Sequence, residues 1–404
     1  MRIAFTANGP GEVAGWVRPL VRALYALEPE TDVHLFLVPD DYATGNEARM
    51  ARELFPQAHV YEPRRYVAIA LGKKFEDVPA TVDVVQYLGG DLMHAARLHK
   101  RFGGVASTYK FSKPRYKSVF ARAYAVDEAN VRELIATGLD RDRVLRVGNL
   151  AIDGALLEAQ APLETGAPVN GLLVMPGSRG YEIENLIPFF FTVALRVRRE
   201  RPDLPIAFGI SPFTPLDRVR EAVERGGVAA MFAQRGRLVE SSDGAFLESL
   251  DARVRFPILR NALAAASRAR LALTIPGTKC IELAALGVPT VAITPLNAPE
   301  KIAFNGPLTY LDRIPLVGVP LKRAVAVGVS RRFVYHTQPN IDARDMVMRE
   351  LHGALTPGRV ASVTLDALSD DGWLASSGAR LKELYRGHVG AAGRMAESLL
   401  GLPK

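Results

Sequence analysis

The chain has 404 residues, with 51 Lys and Arg against 43 Asp and Glu and a formal net charge of +8. At 48% apolar and 23% charged residues it has the composition of a globular protein with a full core, which excludes global disorder, and its length predicts two or three domains. The single cysteine, Cys280, excludes intrachain disulfides, zinc ribbons and iron–sulfur clusters.

The chain opens on a strand-like run, Arg2–Ala7, followed by glycines, with no signal-peptide core ahead of a cleavage site. Further strands are expected at Val33–Val38, Val82–Leu88, Gly104–Tyr109, Arg122–Val126 and Val144–Val147, with helices such as Val17–Leu27 and Leu92–Phe102 between them. Near-continuous apolar strands alternating with helices predict βαβ units in a parallel sheet. Pro162, Gly166 and Pro168 break the pattern and mark Leu157–Val169 as a linker. The alternation restarts with strands at Gly171–Met175, Pro205–Gly209, Leu271–Ile275 and Thr290–Thr294, and helices at Glu182–Glu200 and Lys279–Leu286. The longest nearly apolar stretch, Leu186–Leu195, is about half the ~20 residues that cross a bilayer. A last helix is expected over Ser376–Leu399.

The predicted fold is therefore α/β, with two doubly wound domains facing across a cleft. Residues 1–160 form the first domain and 170–375 the second, and 376–404 form a helix able to pack back on the first. In such sheets ligands bind beyond the carboxyl ends of the strands. The motifs fall there. Pro176-Gly177-Ser178-Arg179, with Glu182, follows one strand and opens a helix, where backbone N–H groups and a guanidinium suit a phosphate. The same residues also make an ordinary Ser-capped helix start. Pro276-Gly277-Thr278 repeats the arrangement as a second place for a diphosphate, with Glu282 one turn further in, able to accept from a ribose. A plain capped helix is the competing reading.

In the first half, Asn8–Gly15 matches a loose dinucleotide fingerprint. Glu12 would put a carboxylate where a pyrophosphate belongs, and Pro10 removes an N–H, so a neutral polyol such as a sugar suits this turn better. Gly89-Gly90-Asp91 ends another strand and offers Asp91 as a general base, with Glu12 as the second candidate catalytic carboxylate. His94 and His99 follow; His94 could act as base or orienter, or simply be packed. Arg64, Arg65, Lys73 and Lys74 flank a short apolar helix, and Lys110, Lys113, Arg115 and Lys117 alternate with aromatics. Such mixtures suit an anionic lipid surface, with nucleic acid or a merely solvated face as alternatives. Asp140-Arg141-Asp142 reads as a turn, and no metal-ligand cluster, Walker loop or nucleophile elbow is visible.

In order, these motifs resemble those of the lipid-A-disaccharide synthase family, inverting glycosyltransferases of the B-type two-domain fold. Pro176–Arg179 with Glu182 is similar to PGSR-x-x-E, Gly277-Thr278 with Glu282 to S-G-T-x-x-x-E, and Gly11–Gly15 to G-E-x-S-G. Asp91 matches the aspartate of A-P-D-F, Gly148–Asp153 resembles G-H-P-L-x-D, and Pro339-Asn340 with Arg344 and Glu350-Leu351 resembles P-N-x-x-A-G-R…E-L. Trp16 and Pro276 depart from the pattern, Lys110–Lys117 replaces an aromatic acceptor-side stretch, and Leu321–Gln338 looks inserted.

The resemblance implies transfer of an N-acetylhexosamine-type sugar from a UDP-sugar to a hydroxyl of a lipid-linked acceptor, with Asp91 as base. Arg179, Ser178 and Thr278 would hold the diphosphate and Glu282 the ribose; Gly177, Glu182, Gly277, Asn340 and Arg344 complete the nucleotide side. Gly11, Gly15 and the basic residues belong to the acceptor and membrane side. No metal, cofactor or nucleic acid is expected. A homodimer is allowed, and the setting is cytoplasmic, peripheral to the membrane or free of it. Alternatives are a UDP-sugar 2-epimerase, which needs no acceptor, or a UDP-sugar-binding regulator.

Overall fold

The apolar runs become buried parallel strands in the computed structural model, which describes residues 1–39, 45–298, 328 and 333–403. Most of Leu321–Gln338 lies outside the described residues. The chain divides into two compact units, Met1–Leu157 with Arg386–Lys404, and Glu158–Tyr385.

The first unit carries β1 Arg2–Ala7, β2 Asp32–Leu37, β3 His59–Tyr61, β4 Val84–Tyr87, β5 Val105–Tyr109, β6 Arg122–Ala125 and β7 Val144–Arg146. They lie in the order β3-β2-β1-β4-β5-β6-β7, every neighbour parallel. One face is closed by Phe36, Tyr61, Tyr66, Leu98 and Phe102. The order reverses between β1 and β4, so the loops leaving these two strands share one crevice mouth.

The second unit carries β8 Leu172–Met175, β9 Ile206–Gly209, β10 Gly236–Ser241, β11 Gly244–Ser249, β12 Arg255–Leu259, β13 Leu271–Thr274, β14 Thr290–Pro295 and β15 Arg349–Gly353. Their order is β10-β11-β12-β9-β8-β13-β14-β15. The run from β12 to β15 is parallel, and the hairpin β10–β11 adds antiparallel to β12. The switch point lies between β8 and β13. The apolar stretch Leu186–Leu195 packs against the sheet, with Phe189, Phe190 and Phe191 fully buried among Phe208, Phe256 and their neighbours. Among the described residues no helix is long and apolar enough to cross a membrane.

Three differences from the sequence reading have physical causes. The strands β3, β10, β11, β12 and β15 were not anticipated: β3 has three residues, and β10–β11 alternates polar and apolar around a tight turn at Ser242-Asp243. The expected helix Ser376–Leu399 is two helices, Asp371–Tyr385 and Ala391–Leu400, parted by a turn at Arg386–His388 and by Gly390 in the left-handed region at φ 83°. The segment beyond this break docks in the first unit. Asp153 accepts the N–H groups of Gly390 and Ala392 at 2.8 and 2.7 Å, Arg394 Nε donates to Val147 O at 2.8 Å, and Tyr124 donates to Ser398 at 3.1 Å.

Third, the helix after the first strand of each sheet opens with a widened π-type turn, Val13–Val17 and Glu182–Leu186. In both, the residue before a proline donates five residues back, Arg18 to Val13 and Ile187 to Glu182. Pro19 and Pro188 lack an N–H, and their rings press on the carbonyl four residues earlier, which opens the turn.

Candidate functional site

In the second unit the two glycine turns leave β8 and β13, side by side at the switch point. Thr274 Oγ1 ties the strand ends together by donating to Met175 O at 2.8 Å. Gly177 has φ 99°, and a Cβ there would stand 2.3 Å from Glu182 Oε2 and 2.9 Å from Ile275 Cδ1. Only glycine allows the turn to close this tightly. Glu182 Oε2 accepts the N–H groups of Ser178 and Arg179 at 2.7 and 2.8 Å. The carboxylate thus takes two donors that the sequence reading gave to a diphosphate, and Glu182 shapes the turn from inside. Arg179 is exposed, its guanidinium 3.8 Å from Glu182 Oε1.

Across the switch point Gly277 and Thr278 are exposed, and open space surrounds the Gly277 Cα. Glu282, one turn in, is almost enclosed, with Lys279 Nζ 2.6 Å from its Oε2. Burial opposes the Lys279 charge, yet Glu282 and Glu158 outweigh it and keep the ammonium. Lys279, absent from the motifs, thus occupies one oxygen of the carboxylate that the sequence offers to a ribose. Cys280 faces inward, its thiol donating to Ile275 O at 3.4 Å and pushed up to about 12 by burial.

Asn340 departs from its expected part. It is fully buried, its amide donating to Met348 O at 2.9 Å and Glu350 Oε1 at 2.6 Å while accepting Met348 N–H at 2.8 Å. Glu350 also accepts the N–H groups of His336 and Thr337. With both donors and one acceptor lone pair satisfied internally, Asn340 clamps the strand β15 and does not reach a ligand. Arg344 is exposed at the end of the short helix Gln338–Ala343.

In the first unit the loops after β1 and β4 touch. A Cβ on Gly89 would stand 2.8 Å from Asn8 Oδ1 and 3.0 Å from Glu12 Cγ, so this glycine lets the Glu12 loop lie on the β4 loop. Tyr87, between them, donates to Gly90 O at 2.8 Å; burial and then the Glu12 and Asp91 charges push its phenol far up. Gly11 is exposed with open space around it. Gly15 is buried instead: the helix Leu150–Ala159 crosses it at Gly154, whose Cβ would lie 3.0 Å from Gly15 O. Gly15 is a packing residue and offers no ligand surface.

Asp91 caps the helix Leu92–Phe102 by accepting the Met93 N–H at 2.8 Å. Its carboxylate also meets Lys113 Nζ at 3.5 Å and Arg115 Nη2 at 3.7 Å. Burial raises the Asp91 pKa, but the Met93 N–H and the two cations outweigh it and hold the carboxyl below its ordinary value. One turn along, His94 Nδ1 shares a 2.7 Å hydrogen bond with Tyr66 Oη, and burial keeps the ring neutral. Tyr66 belongs to the helix Pro63–Ala70, which carries Arg64 and Arg65. Both basic segments thus abut the start of the Asp91 helix. Arg65 pairs with Asp77 and lies over Phe75 at 4.9 Å, Lys73 lies over Phe75 at 5.3 Å, and Arg115 over Tyr116 at 4.8 Å. Lys74 and Lys117 are exposed and Lys110 half-buried, its ammonium 5.4 Å from the Phe111 ring. Leu71 is 82% exposed beside Lys73, with Val67 and Phe111 also outside.

No protein-family model matches the chain. It is 30% identical over 220 residues to a lipid-A-disaccharide synthase of Ruegeria pomeroyi, a match covering 50% of this chain and 49% of that protein. The match thus spans about half the length of this curated relative. Among solved structures, it is similar to the UDP-GlcNAc 2-epimerase of Neisseria meningitidis bound to UDP-GlcNAc, with TM-score 0.56 and 12% identity over 100% of both chains. It is also similar to the UDP-GlcNAc 2-epimerase of Methanocaldococcus jannaschii in complex with UDP-GlcNAc and UDP, with TM-score 0.54 and 14% identity over 99% of both. These likenesses show the fold: two Rossmann-like α/β domains of the glycosyltransferase-B type.

Proposed function

We propose that the protein is a UDP-sugar-dependent enzyme, an inverting glycosyltransferase of the lipid-A-disaccharide synthase kind. The observation that carries the reading is Asp91: an ionised, part-exposed carboxylate at the switch point of the first unit, flanked by Lys113 and Arg115. The half-length likeness to the Ruegeria protein and the UDP ligands of the two epimerase structures support a UDP-sugar donor.

The second unit holds the donor. The diphosphate lies against Arg179, Thr278 and the ammonium of Lys279, and the ribose against Glu282. In the first unit the acceptor hydroxyl lies at Asp91. Its oxygen attacks the anomeric carbon as its proton passes to the Asp91 carboxylate. The bond from that carbon to the diphosphate oxygen breaks, and UDP leaves with the electron pair, its growing charge met by Arg179 and Lys279. One displacement inverts the configuration. Exposed Leu71 and Val67 in the segment of Arg64, Lys73 and Lys74, and exposed Phe111 under Lys110, suit a lipid-linked acceptor at an anionic membrane surface.

A second reading, UDP-sugar 2-epimerisation, is favoured by the fold comparisons and needs no acceptor. Release of UDP from a panel of UDP-sugars, each with and without detergent-solubilised lipid, separates the two. Lipid-dependent release is the expected result. Conversion of UDP-sugar alone into its epimer would replace the transferase with the second reading.

A further inference from the structure

The helix Leu92–Phe102 carries a second polar group to the crevice mouth where Asp91 stands. Asp91 is its N-cap and His94 its third residue, two positions that face one another across a helix's first turn. His94 does not turn back on the cap. Its Nδ1 is tied to Tyr66 Oη at 2.7 Å, and the two rings meet edge to face with centroids 5.2 Å apart. The other edge of the imidazole lies along the Gly90 backbone: a Cβ on Gly90 would stand 3.5 Å from His94 Cδ2, the carbon bonded to Nε2. Gly90 immediately precedes Asp91, so Nε2 opens beside the carboxylate. His94 is half-buried, and among the described residues its Nε2 meets no hydrogen-bond partner and is not enclosed.

The Tyr66 hydroxyl decides what this nitrogen does. Tyr66 is 1% exposed, and among the described residues His94 Nδ1 is its only hydrogen-bond partner. A buried hydroxyl must place its one hydrogen, and the Nδ1 lone pair is the acceptor within reach. A hydrogen on Nδ1 would bond to Oη and strand the hydroxyl hydrogen in the core. Tyr66 therefore donates to Nδ1. Burial holds the His94 pKa below its ordinary value, while the Asp91 and Arg97 charges pull it in opposite directions. The ring is neutral, and its single hydrogen sits on Nε2. His94 thus offers a fixed donor beside Asp91 and has no free lone pair with which to act as a base.

We infer that His94 binds the acceptor, its Nε2–H donating to an oxygen next to the hydroxyl that Asp91 deprotonates. This inference rests on the transferase reading of the same site. Asp91 accepts from one oxygen of the acceptor and His94 donates to its neighbour, so two points fix the orientation of the attacking hydroxyl. An acceptor with two neighbouring oxygens engages both groups, and a lone alcohol engages one.

The test uses the full chain and three substitutions. Asparagine sets its amide where Nδ1 stands, so His94→Asn keeps a partner for Tyr66; glutamine sets its amide where Nε2 stands, so His94→Gln keeps the outward donor. UDP release is measured over a range of detergent-solubilised membrane lipid. His94→Ala and His94→Asn should raise the KM for lipid about tenfold, the worth of one hydrogen bond, with kcat changed far less, and His94→Gln should restore most of the loss. Urea unfolding should rank the two amides the other way, with His94→Asn the more stable. A packing role alone would put His94→Asn first in both assays. Nitrogen-15 spectra of the imidazoles, with the His94 signals assigned by their loss in His94→Gln, should place the hydrogen on Nε2. A hydrogen on Nδ1, an unchanged lipid KM in His94→Ala, or a better KM in His94→Asn than in His94→Gln would overturn the role of His94 and leave the transferase reading standing. Absence of lipid-dependent release by wild type would overturn that reading and the role of His94 with it.

Discussion

Asp91 is both a helix cap and a carboxylate facing two cations, and the two roles separate by substitution. Asparagine caps nearly as well as aspartate, so Asp91→Asn should keep the fold and the affinity for UDP while lowering turnover about 10²–10⁴-fold. Urea unfolding and steady-state assays of the same preparation check this, and unchanged turnover would remove Asp91 as base. The pH dependence has a definite sign. In the proposed mechanism the working form is the carboxylate, and the Met93 N–H, Lys113 and Arg115 hold its pKa below the ordinary value. Activity should therefore persist as pH falls and fail only below the usual carboxylate range. Lys113→Ala removes a stabilising charge, raises that pKa and should move the acid limb to higher pH in a profile of kcat/KM. The position of Asp91, between an apolar strand and the start of a helix, was legible in the sequence.

Each glycine turn leads into a helix, and in the second unit the turn is closed by the helix's own acid. Gly177→Ala would drive a methyl into the Glu182 carboxylate at a φ of 99°, at a cost of about 1–3 kcal/mol. Denaturant unfolding should register that loss, and UDP affinity should fall with it because the turn carries Arg179. Gly277 faces open space, so its alanine variant meets no clash and bears only the backbone strain of φ 152°. The strand–glycine–helix pattern was readable from composition and order. The capping of Ser178 and Arg179 by Glu182 was not: the same Glu spacing serves a ligand contact or an internal cap, and only coordinates tell them apart. Asn340 illustrates the same limit, since a polar residue in a motif reads alike whether it meets a ligand or buries its amide. Pro19 and Pro188 each fall two residues after a π-type turn, where a proline widens the preceding turn, but apolar periodicity alone reads both segments as ordinary helix.

At the scale of the molecule, two doubly wound sheets follow from the alternation of apolar strands and helices, and the hairpin β10–β11 escaped because its outward residues are polar. Asp153 is one of the ties that hold the returning chain in the first unit, its carboxylate capping the final helix at Gly390 and Ala392. Asp153→Ala should cost about 1 kcal/mol and expose the Arg386–Gly390 turn to limited proteolysis, with cleavage there faster than in wild type. In the proposed function a nucleoside diphosphate occupies the β8–β13 switch point. Calorimetric titration of UDP and of uridine into wild type and Arg179→Ala tests it most directly. UDP should bind wild type more tightly than uridine does, and Arg179→Ala should weaken UDP while leaving uridine unchanged. Equal affinity of both proteins for UDP, or no binding of UDP by wild type, would contradict it.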